Sequence, residues 1–372
     1  MAVTMTSERP RTRFHRLARE STTFEHWRLP VAAVLAAVTY GIVSVALAMV
    51  LILGVALDSG SLDAVDAVME RLAGIDLGDP GLFAFLMVSV IVMAPSAWLP
   101  VRILWREHAR YLLSVEGRLR WGWMMRCAGL SLLVIGAAIA IAVAAGVADS
   151  GGVEWTPFTA RSALMIALVL LLTPLQSAAE EYVFRGAGLQ LVGSWVRSPV
   201  LPIIATTLVF AAGHLYQFWG LVDVALFGLA AAWLTIRTGG LEAAIAAHVV
   251  NNVLLFLLGV VGLIDPTGGE AVGALDVLPT AVSMVVLVFV VTWQAERVGL
   301  VTTRAPQPLR PAQPVPPPAF RPVPPPAWMP PGHLPPPAGF PPQQPWAAPP
   351  RPRVHVPPNA PEYPGELTDG WR

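Results

Sequence analysis

The chain has 372 residues, of which 55% are hydrophobic and only 13% are charged, and its mean hydropathy is +0.61. Soluble domains carry about a quarter of their residues as charge, so this composition excludes an ordinary soluble fold. The formal net charge is zero, so there is no basic excess and we expect no nucleic-acid partner.

Residues 1–29 form a polar, Arg-rich arm before the first apolar run at 30–57. A cleavable signal peptide has a shorter apolar region, nearer the start and followed by a small-residue cleavage site. We therefore predict that the first run is a retained transmembrane helix.

Further apolar runs follow, each near the roughly 20 residues that cross a bilayer. The predicted fold class is all-α, a polytopic membrane helix bundle with about eight transmembrane helices. We divide it into N-terminal helices at 30–157, a core at 158–265 and a last helix at 266–303. The further runs cover residues 81–104, 126–147, 158–182, 200–217, 219–237, 241–264 and 276–296.

Arginines concentrate in alternate connections. They occupy the arm, the 105–125 connection and the segments after the fourth, sixth and eighth runs, whereas the 58–79 loop is acidic. Positively charged loops stay in the cytoplasm, so we expect both termini on the cytoplasmic side of a plasma membrane. All 24 basic residues are Arg, and with abundant Ala and Pro this usage indicates a GC-rich bacterial genome.

The 105–125 connection mixes arginines with Trp, Tyr and Leu, which is typical of a helix lying in the membrane interface. We expect it to anchor the bundle, without a catalytic role. Asp223, Arg237 and Glu242 stand near the ends of their runs, where a charged side chain reaches the interface.

Most of the 37 prolines lie in residues 304–372. Proline lacks the backbone donor that helices and sheets require, so we predict a disordered, extended tail. A solvated tail is the simpler interpretation, because PxxP spacing is unavoidable at this proline density, and a protein partner of the SH3 or WW type is the alternative.

Acidic residues end the fourth run. Charged side chains at membrane depth are costly unless they are paired or hydrated. On a helix, Glu181 and Arg185 are i,i+4 neighbours in the favourable order, whereas Glu180 is rotated by about 100° and lacks that partner. An unpaired, poorly hydrated carboxylate suits a general base. The alternative is a helix end whose charges reach the headgroups.

Each of two later runs contains a histidine four positions away from a second residue that could take part in a site. His214 follows Phe210, and His248 precedes Asn252. A well-placed Asn amide stabilises an oxyanion by about 3 kcal/mol. Taken singly, each motif is equally explained by ordinary hydrogen bonds between helices.

In this order on successive hydrophobic helices, Glu-Glu-x-x-x-Arg, Phe-x-x-x-His and His-x-x-x-Asn resemble the CPBP family of intramembrane proteases. That family includes CAAX prenyl endopeptidases of the Rce1 type and bacteriocin self-immunity proteins. The resemblance covers roughly residues 158–265 and implies an endopeptidase acting on a membrane-associated protein or peptide in the lipid bilayer. The matching residues are Glu180, Glu181, Arg185, Phe210, His214, His248 and Asn252.

The resemblance implies that Glu180 and His214 activate a water and that His248 and Asn252 hold the tetrahedral oxyanion. The other three matching residues would support the site. Zinc is left open: the family is commonly named a metalloprotease, and Glu180, His214 and His248 could ligate zinc with a water in the fourth position. The chain lacks the helical His-Glu-x-x-His zinc signature.

The depth of the two catalytic groups constrains this hypothesis. If the fifth helix begins at Val200, His214 lies about 21 Å along it, whereas Glu180 stands near the end of its own run. The two groups meet if the fifth helix starts later or tilts, or if the fourth helix continues beyond Arg185.

Two other functions fit a membrane bundle. A non-catalytic adaptor or immunity-type protein would use the same bundle and tolerate the loss of Glu180 or His214. A transporter would use intramembrane Glu and His as a proton relay, but the sequence has no inverted repeat or paired broken helices to favour it.

Overall fold

The computed structural model describes residues 11–21, 24–61, 63–72, 77–106, 108–150, 157–264 and 273–305. Helices dominate these ranges, which confirms the predicted all-α class. The tail predicted beyond residue 305 lies outside the described residues. In chain order the α-helices are α1 (Arg28–Ser59), α2 (Asp63–Leu72), α3 (Pro80–Ile91), α4 (Met93–Leu104), α5 (Trp121–Ser150), α6 (Ala160–Glu181), α7 (Leu189–Gly193), α8 (Val200–Ala212), α9 (Phe218–Thr238), α10 (Glu242–Val260) and α11 (Leu278–Arg297).

Within the described ranges, 7 helical stretches are long and apolar enough to cross a membrane. Two of them combine elements: α3 and α4 form one stretch, and α6 continues through a π-helical segment, Tyr182–Gly188, into α7. The fifth predicted span is shorter than expected, because α8 has only 13 residues. At about 1.5 Å per residue it covers about 20 Å of the roughly 30 Å hydrocarbon core.

Local residues fix the helix ends. The Asp79 side chain caps α3 by accepting hydrogen bonds from two backbone N–H groups, and Pro80 occupies the first turn. A capping box formed by Thr159 and Ser162 starts α6. Gly239, with φ of 73°, ends α9 in the left-handed conformation and lets the chain turn at once into α10.

The 105–125 connection is not the interfacial helix that its composition predicted. It forms a short 3-10 turn, Ala109–Leu112, and is folded into the core, where Trp105 is only 4% exposed and Leu112 only 2%. Ser114 pairs with Gly240 through an isolated antiparallel bridge. Aromatic and leucine side chains therefore mark a packed connection here, because the neighbouring helices offer more burial than the interface does.

Glu242 also departs from its prediction. It is fully buried instead of reaching the interface, and its carboxylate pairs with Arg120 at 2.7 Å between Oε2 and Nη2. The Arg120 backbone N–H and Nε both donate to Glu242 Oε1, and Nη1 and Nη2 donate to the carbonyls of Val301 and Thr238. This ion pair joins the 105–125 connection to the start of α10 and to the end of the described chain.

The described part of the Arg-rich arm is docked onto the bundle. A 3-10 segment, Phe14–Glu20, packs against α7, and its arginines donate to backbone carbonyls: Arg16 to Val196 at 2.7 Å and Arg19 to Ser194 at 3.0 Å. Strand β1 (Thr12–Arg13) pairs antiparallel with strand β2 (Thr303–Arg304). The two ends of the described chain therefore lie on the same side of the bundle, and the assignment of that side to the cytoplasm stays a prediction.

Helix α10 is the central element and packs against α5, α6 and α9. Its first two turns, from Glu242 to His248, are buried throughout, and four of the residues between these two are alanines. Small side chains let neighbouring helices approach closely. The same close packing brings His248 against the acidic end of α6.

Candidate active site

The acidic motif lies well inside its helical stretch. Because α6 continues through the π-helical segment to Gly193, Glu180 stands about 20 Å from the end of that stretch. The fourth helix therefore continues beyond Arg185, which was one of the three conditions under which Glu180 and His214 could meet, and their meeting stays a prediction. Helix α8 ends before His214, whose ring Nδ1 lies 2.9 Å from the Phe210 carbonyl oxygen.

The predicted contact between Glu181 and Arg185 is present. Arg185 Nη1 donates to Glu181 Oε1 at 2.9 Å, and both side chains are fully buried. Arg185 Nη2 also donates to the Gly228 carbonyl at 3.3 Å. A buried charge pair of this kind requires close geometry, since both groups have lost their hydration.

The His248 ring lies between the two carboxylates. Its Nδ1 is 2.8 Å from Glu181 Oε1, and its Nε2 is 3.4 Å from Glu180 Oε2. An ionised carboxylate only accepts, so Nδ1 carries the proton and donates to Glu181, which leaves Nε2 facing Glu180. In the described part of the chain, the imidazole in contact with Glu180 is therefore that of His248 and not that of His214. Glu181 serves both Arg185 and His248, which the helix-face argument did not anticipate.

Phe210 occupies the middle of the site. Its ring is 2% exposed, the Arg185 Cζ atom lies 4.2 Å from the ring centroid, and the His214 and His248 rings lie 4.8 and 6.1 Å away. A guanidinium over an aromatic face is attracted by the ring quadrupole. Phe210 thus holds Arg185 while it separates His214 from His248.

Asn252 lies one turn after His248 and extends the polar surface along α10. Its Nδ2 donates to Gln176 Oε1 at 3.4 Å, and its Oδ1 accepts from Asn251 Nδ2 at 3.1 Å. Gln176, which is 6% exposed, was not singled out from the sequence. The available signal was its i,i+4 spacing to Glu180, which places both side chains on the same face of α6.

Several polar atoms at the site are buried without a hydrogen-bond partner. They belong to both carboxylates and to the residues around Arg185. A buried polar atom without a partner is costly, so such a cluster marks a place where water or substrate completes the hydrogen bonding. The atoms are Glu180 Oε2, Glu181 Oε2, Arg185 Nε and Thr207 Oγ1.

The described residues contain no preformed cluster of metal ligands. Within the described ranges, no three His, Cys, Asp or Glu side chains lie close enough together to hold a metal ion. His248 Nδ1 and His214 Nδ1 are each committed to an oxygen acceptor, which leaves their Nε2 atoms. Zinc binding by Glu180, His214 and His248 therefore stays a prediction.

An apolar cavity of about 390 Å³ adjoins the site. α1 and α4 line one side, the π-helical segment and α8 the other. Phe184 lines this cavity and also packs edge-on against Phe210, with 5.2 Å between the ring centroids. At the polar end, His108 Nε2 lies 3.0 Å from Gln190 Oε1, and burial lowers the pKa of His108 to about 4 against the opposing effect of that hydrogen bond.

Comparison with known proteins finds a family match over part of the chain. Residues 159–254 match the family model described as type II CAAX prenyl endopeptidase Rce1-like. The chain carries an Rce1-like domain. All the residues that meet at the site, from Gln176 to Asn252, fall within the matched range of this domain. The long apolar helices and the family match together make the chain an integral membrane protein.

A curated relative is similar to about half of the chain. The uncharacterized protein YyaK of Bacillus subtilis (strain 168) is 26% identical over 188 residues, which cover 48% of this chain and 62% of the relative. The chain thus spans less than two thirds of the relative's length. No solved structure matches the chain.

Proposed function

We propose that the chain is an intramembrane endopeptidase that hydrolyses a peptide bond of a membrane-associated protein or peptide, with Glu180 as the general base. The observation that carries this proposal is the contact between Glu180 Oε2 and His248 Nε2, 3.4 Å apart in a buried site within an Rce1-like domain. At this distance the two groups are in direct contact, so the attacking water would lie beside them, next to the Glu180 carboxylate.

Glu180 takes a proton from the attacking water, and the water oxygen adds to the substrate carbonyl carbon. The Glu180 Oε2 atom has no hydrogen-bond partner among the described residues, so it is free for this role. His248 is held by its Nδ1–H bond to Glu181, which fixes the direction in which its Nε2 points. Glu181 and Arg185 therefore act through the orientation of His248.

The tetrahedral oxyanion is stabilised by the Asn252 amide, one turn along α10 from His248. When the intermediate collapses, the carbon–nitrogen bond breaks and the proton on Glu180 passes to the leaving amine nitrogen. His214 keeps its Nε2 free, because its Nδ1 is bonded to the Phe210 carbonyl, and we assign it to the water and leaving-group side of the substrate. The sequence-derived pairing of Glu180 with His214 stays a prediction.

The test compares wild type with Glu180→Gln and with the matched control Glu296→Gln. Glu296 is 72% exposed and pairs loosely with Arg237, so its substitution leaves the site untouched. Purified protein in detergent is incubated with the membrane proteins of the cells that produce it, and new peptide termini are counted by mass spectrometry. We expect termini with wild type and Glu296→Gln, and at least a hundredfold fewer with Glu180→Gln.

Equal numbers of termini from all three proteins would contradict the protease proposal and favour a non-catalytic bundle. A thermal melt of each protein shows that the Glu180→Gln variant is folded. Metal analysis of the same purified samples tests zinc directly: one zinc per chain in wild type, lost in His248→Ala, would add a metal to the site.

A further inference from the structure

The Asn252 carboxamide belongs to a chain of hydrogen bonds that crosses from α10 to α6. Asn251 Nδ2 donates to Asn252 Oδ1 at 3.1 Å, and Asn252 Nδ2 donates to Gln176 Oε1 at 3.4 Å. Ser177 Oγ donates to the same Gln176 oxygen at 3.3 Å. Gln176 and Ser177 are buried, so solvent does not compete strongly for these bonds.

Two arrangements of the amides satisfy this chain, because a carboxamide oxygen only accepts, its nitrogen carries two hydrogens, and the Ser177 hydroxyl can donate or accept. In one arrangement the Gln176 oxygen accepts from Ser177 and Asn252, as the structure has it. In the other, every amide is reversed and the Gln176 NH₂ group donates to Ser177 and to Asn252 Oδ1. Gln176 therefore couples its own orientation to that of Asn252, and in the arrangement of the structure it keeps the Asn252 nitrogen pointing toward α6.

This orientation leaves one hydrogen of Asn252 Nδ2 available. Asn252 Oδ1 is occupied by Asn251, and one Nδ2 hydrogen is directed to Gln176. Gln176 precedes Glu180 by one turn on α6, and Asn252 follows His248 by one turn on α10. The pair formed by Gln176 and Asn252 thus lies about 6 Å along the helices from the pair formed by Glu180 and His248. This spacing puts the free hydrogen about one helical turn from the carboxylate that would activate the water.

We propose that Gln176 is a positioning residue, which fixes the Asn252 amide so that its nitrogen, and not its oxygen, faces the developing oxyanion. The proposal rests on the proposed endopeptidase function and adds to it a residue that acts through Asn252. An Asn252 amide that rotates freely would place its oxygen toward the oxyanion in part of the population, where it repels the negative charge.

The experiment is a double-mutant cycle on the peptide that wild type cleaves best among those found with the membrane proteins. Gln176→Met keeps the volume and removes the acceptor oxygen; Asn252→Ala removes the donor. We expect Gln176→Met to lower kcat about tenfold with little change in KM, and Asn252→Ala to lower kcat about a hundredfold. The double variant should be no slower than Asn252→Ala alone.

Gln190→Met is the matched control. Gln190 is a fully buried glutamine on α7 with hydrogen bonds to His108 and the Tyr111 carbonyl, away from the reacting groups. Its substitution should lower the melting temperature and leave the kcat of the folded enzyme unchanged. If Gln176→Met does not fold, Ser177→Ala replaces it in the cycle, with a two- to threefold loss of kcat expected that disappears in the Asn252→Ala background.

An additive cycle, or a kcat unchanged by Gln176→Met and Ser177→Ala, overturns the proposal. A rise in KM at constant kcat also overturns it, because Gln176 would then bind substrate. These results are separate from the test of the protease function: if Glu180→Gln abolishes cleavage and the cycle is additive, only the role of Gln176 fails, whereas cleavage by Glu180→Gln removes the function itself.

Discussion

The described part of the chain contains two buried carboxylate–guanidinium pairs that differ in how completely they are hydrogen-bonded. Both carboxylate oxygens of Glu242 accept from Arg120, and two further N–H groups of the Arg120 guanidinium donate to backbone carbonyls. Arg185 and Glu181 share only one carboxylate oxygen, Glu181 Oε1, which also accepts from His248. Glu181 Oε2 and Arg185 Nε have no hydrogen-bond partner within the described residues.

We interpret this difference as one between a structural pair and a pair that belongs to the proposed active site. The Arg120–Glu242 pair, which we call the closed pair, joins three segments that are far apart in the sequence. The Glu181–Arg185 pair, which we call the open pair, has buried polar atoms without a hydrogen-bond partner among the described residues. Such atoms are costly for folding, but they can bind water or substrate. Completeness of hydrogen bonding, more than burial or charge, distinguishes the two.

The largest expected effect is on the closed pair. Glu242→Gln would place an amide NH₂ group against the donors of Arg120 and leave a buried cation without a counter-ion. We expect the free energy of unfolding to fall by about 3–5 kcal/mol. Denaturant unfolding in detergent measures it, with the exposed Glu296→Gln as control, and equal unfolding of the two variants would remove the structural role.

The matched change in the open pair should act on catalysis more than on stability. In Glu181→Gln the amide oxygen can still accept from Arg185, and the NH₂ group takes the place of an oxygen that has no partner. The Glu180 carboxylate also acts on the Arg185 charge, so this cation keeps a counter-ion that Arg120 would lack. We expect a stability loss of about 1–2 kcal/mol and a kcat that is roughly ten- to a hundredfold lower, because His248 loses its charge-assisted bond. A stability loss as large as that of Glu242→Gln would make the two pairs equivalent.

The buried hydrogen bond between His108 and Gln190 is an uncharged counterpart of the closed pair, and it makes the stability of the protein depend on pH. Burial lowers the pKa of His108 to about 4 from 6.5, so as pH falls through 6.5 the unfolded chain takes a proton that the folded chain refuses. Stability should fall by about 2 kcal/mol between pH 7 and pH 5 from this group. Burial also lowers the pKa of His15, so this group changes stability with pH in the same direction. Melting curves of wild type and His108→Gln isolate the His108 part, and parallel pH profiles would refute it.

The smallest effect is expected beside the open pair. The Thr207 hydroxyl is buried without a partner, and a Cβ placed on Gly228 would lie within 3.2 Å of both the Thr207 methyl group and Arg185 Nη2, so the three groups are close neighbours. Thr207→Val replaces an unsatisfied hydroxyl by a methyl group of similar volume. We expect the free energy of unfolding to change by less than about 0.5 kcal/mol. A clear loss would show that the hydroxyl is hydrogen-bonded, by a water for example.

The sequence was a good guide to the helices and to the motif residues. Length and hydrophobicity located the long spans, and i,i+4 spacing foresaw the Glu181–Arg185 contact, because both depend on residues close along the chain. The pair of Arg120 with Glu242 joins residues 122 positions apart, and the contact of Gln176 with Asn252 joins residues 76 apart. Such partners follow from helix packing, and a polar residue in a single sequence does not indicate what it will face.

The connection at 105–125 and the contact between Glu180 and His248 also could not be predicted from residue types alone. Aromatic and basic residues suit both an interface and a packed loop, and only the positions of α9 and α10 decide between them. Similarly, His214 and His248 both have the imidazole side chain that a general base requires. Which of them meets Glu180 depends on where α8 ends, and α8 ends before His214.

The π-helical segment Tyr182–Gly188 has a consequence for how this gene tolerates length changes. A π turn holds one residue more than an α-helical turn, so it absorbs an extra residue without changing the angular register of the helix that follows. Deleting one residue here would relax the segment to α-helix and leave α7 in register with Glu180. A deletion in the regular α-helix between Glu180 and Gly193 would instead rotate the later residues by about 100°. Gly193 would then leave the His15 backbone, where no Cβ fits. Single-codon deletions should therefore survive selection more often inside the π-helical segment than beside it.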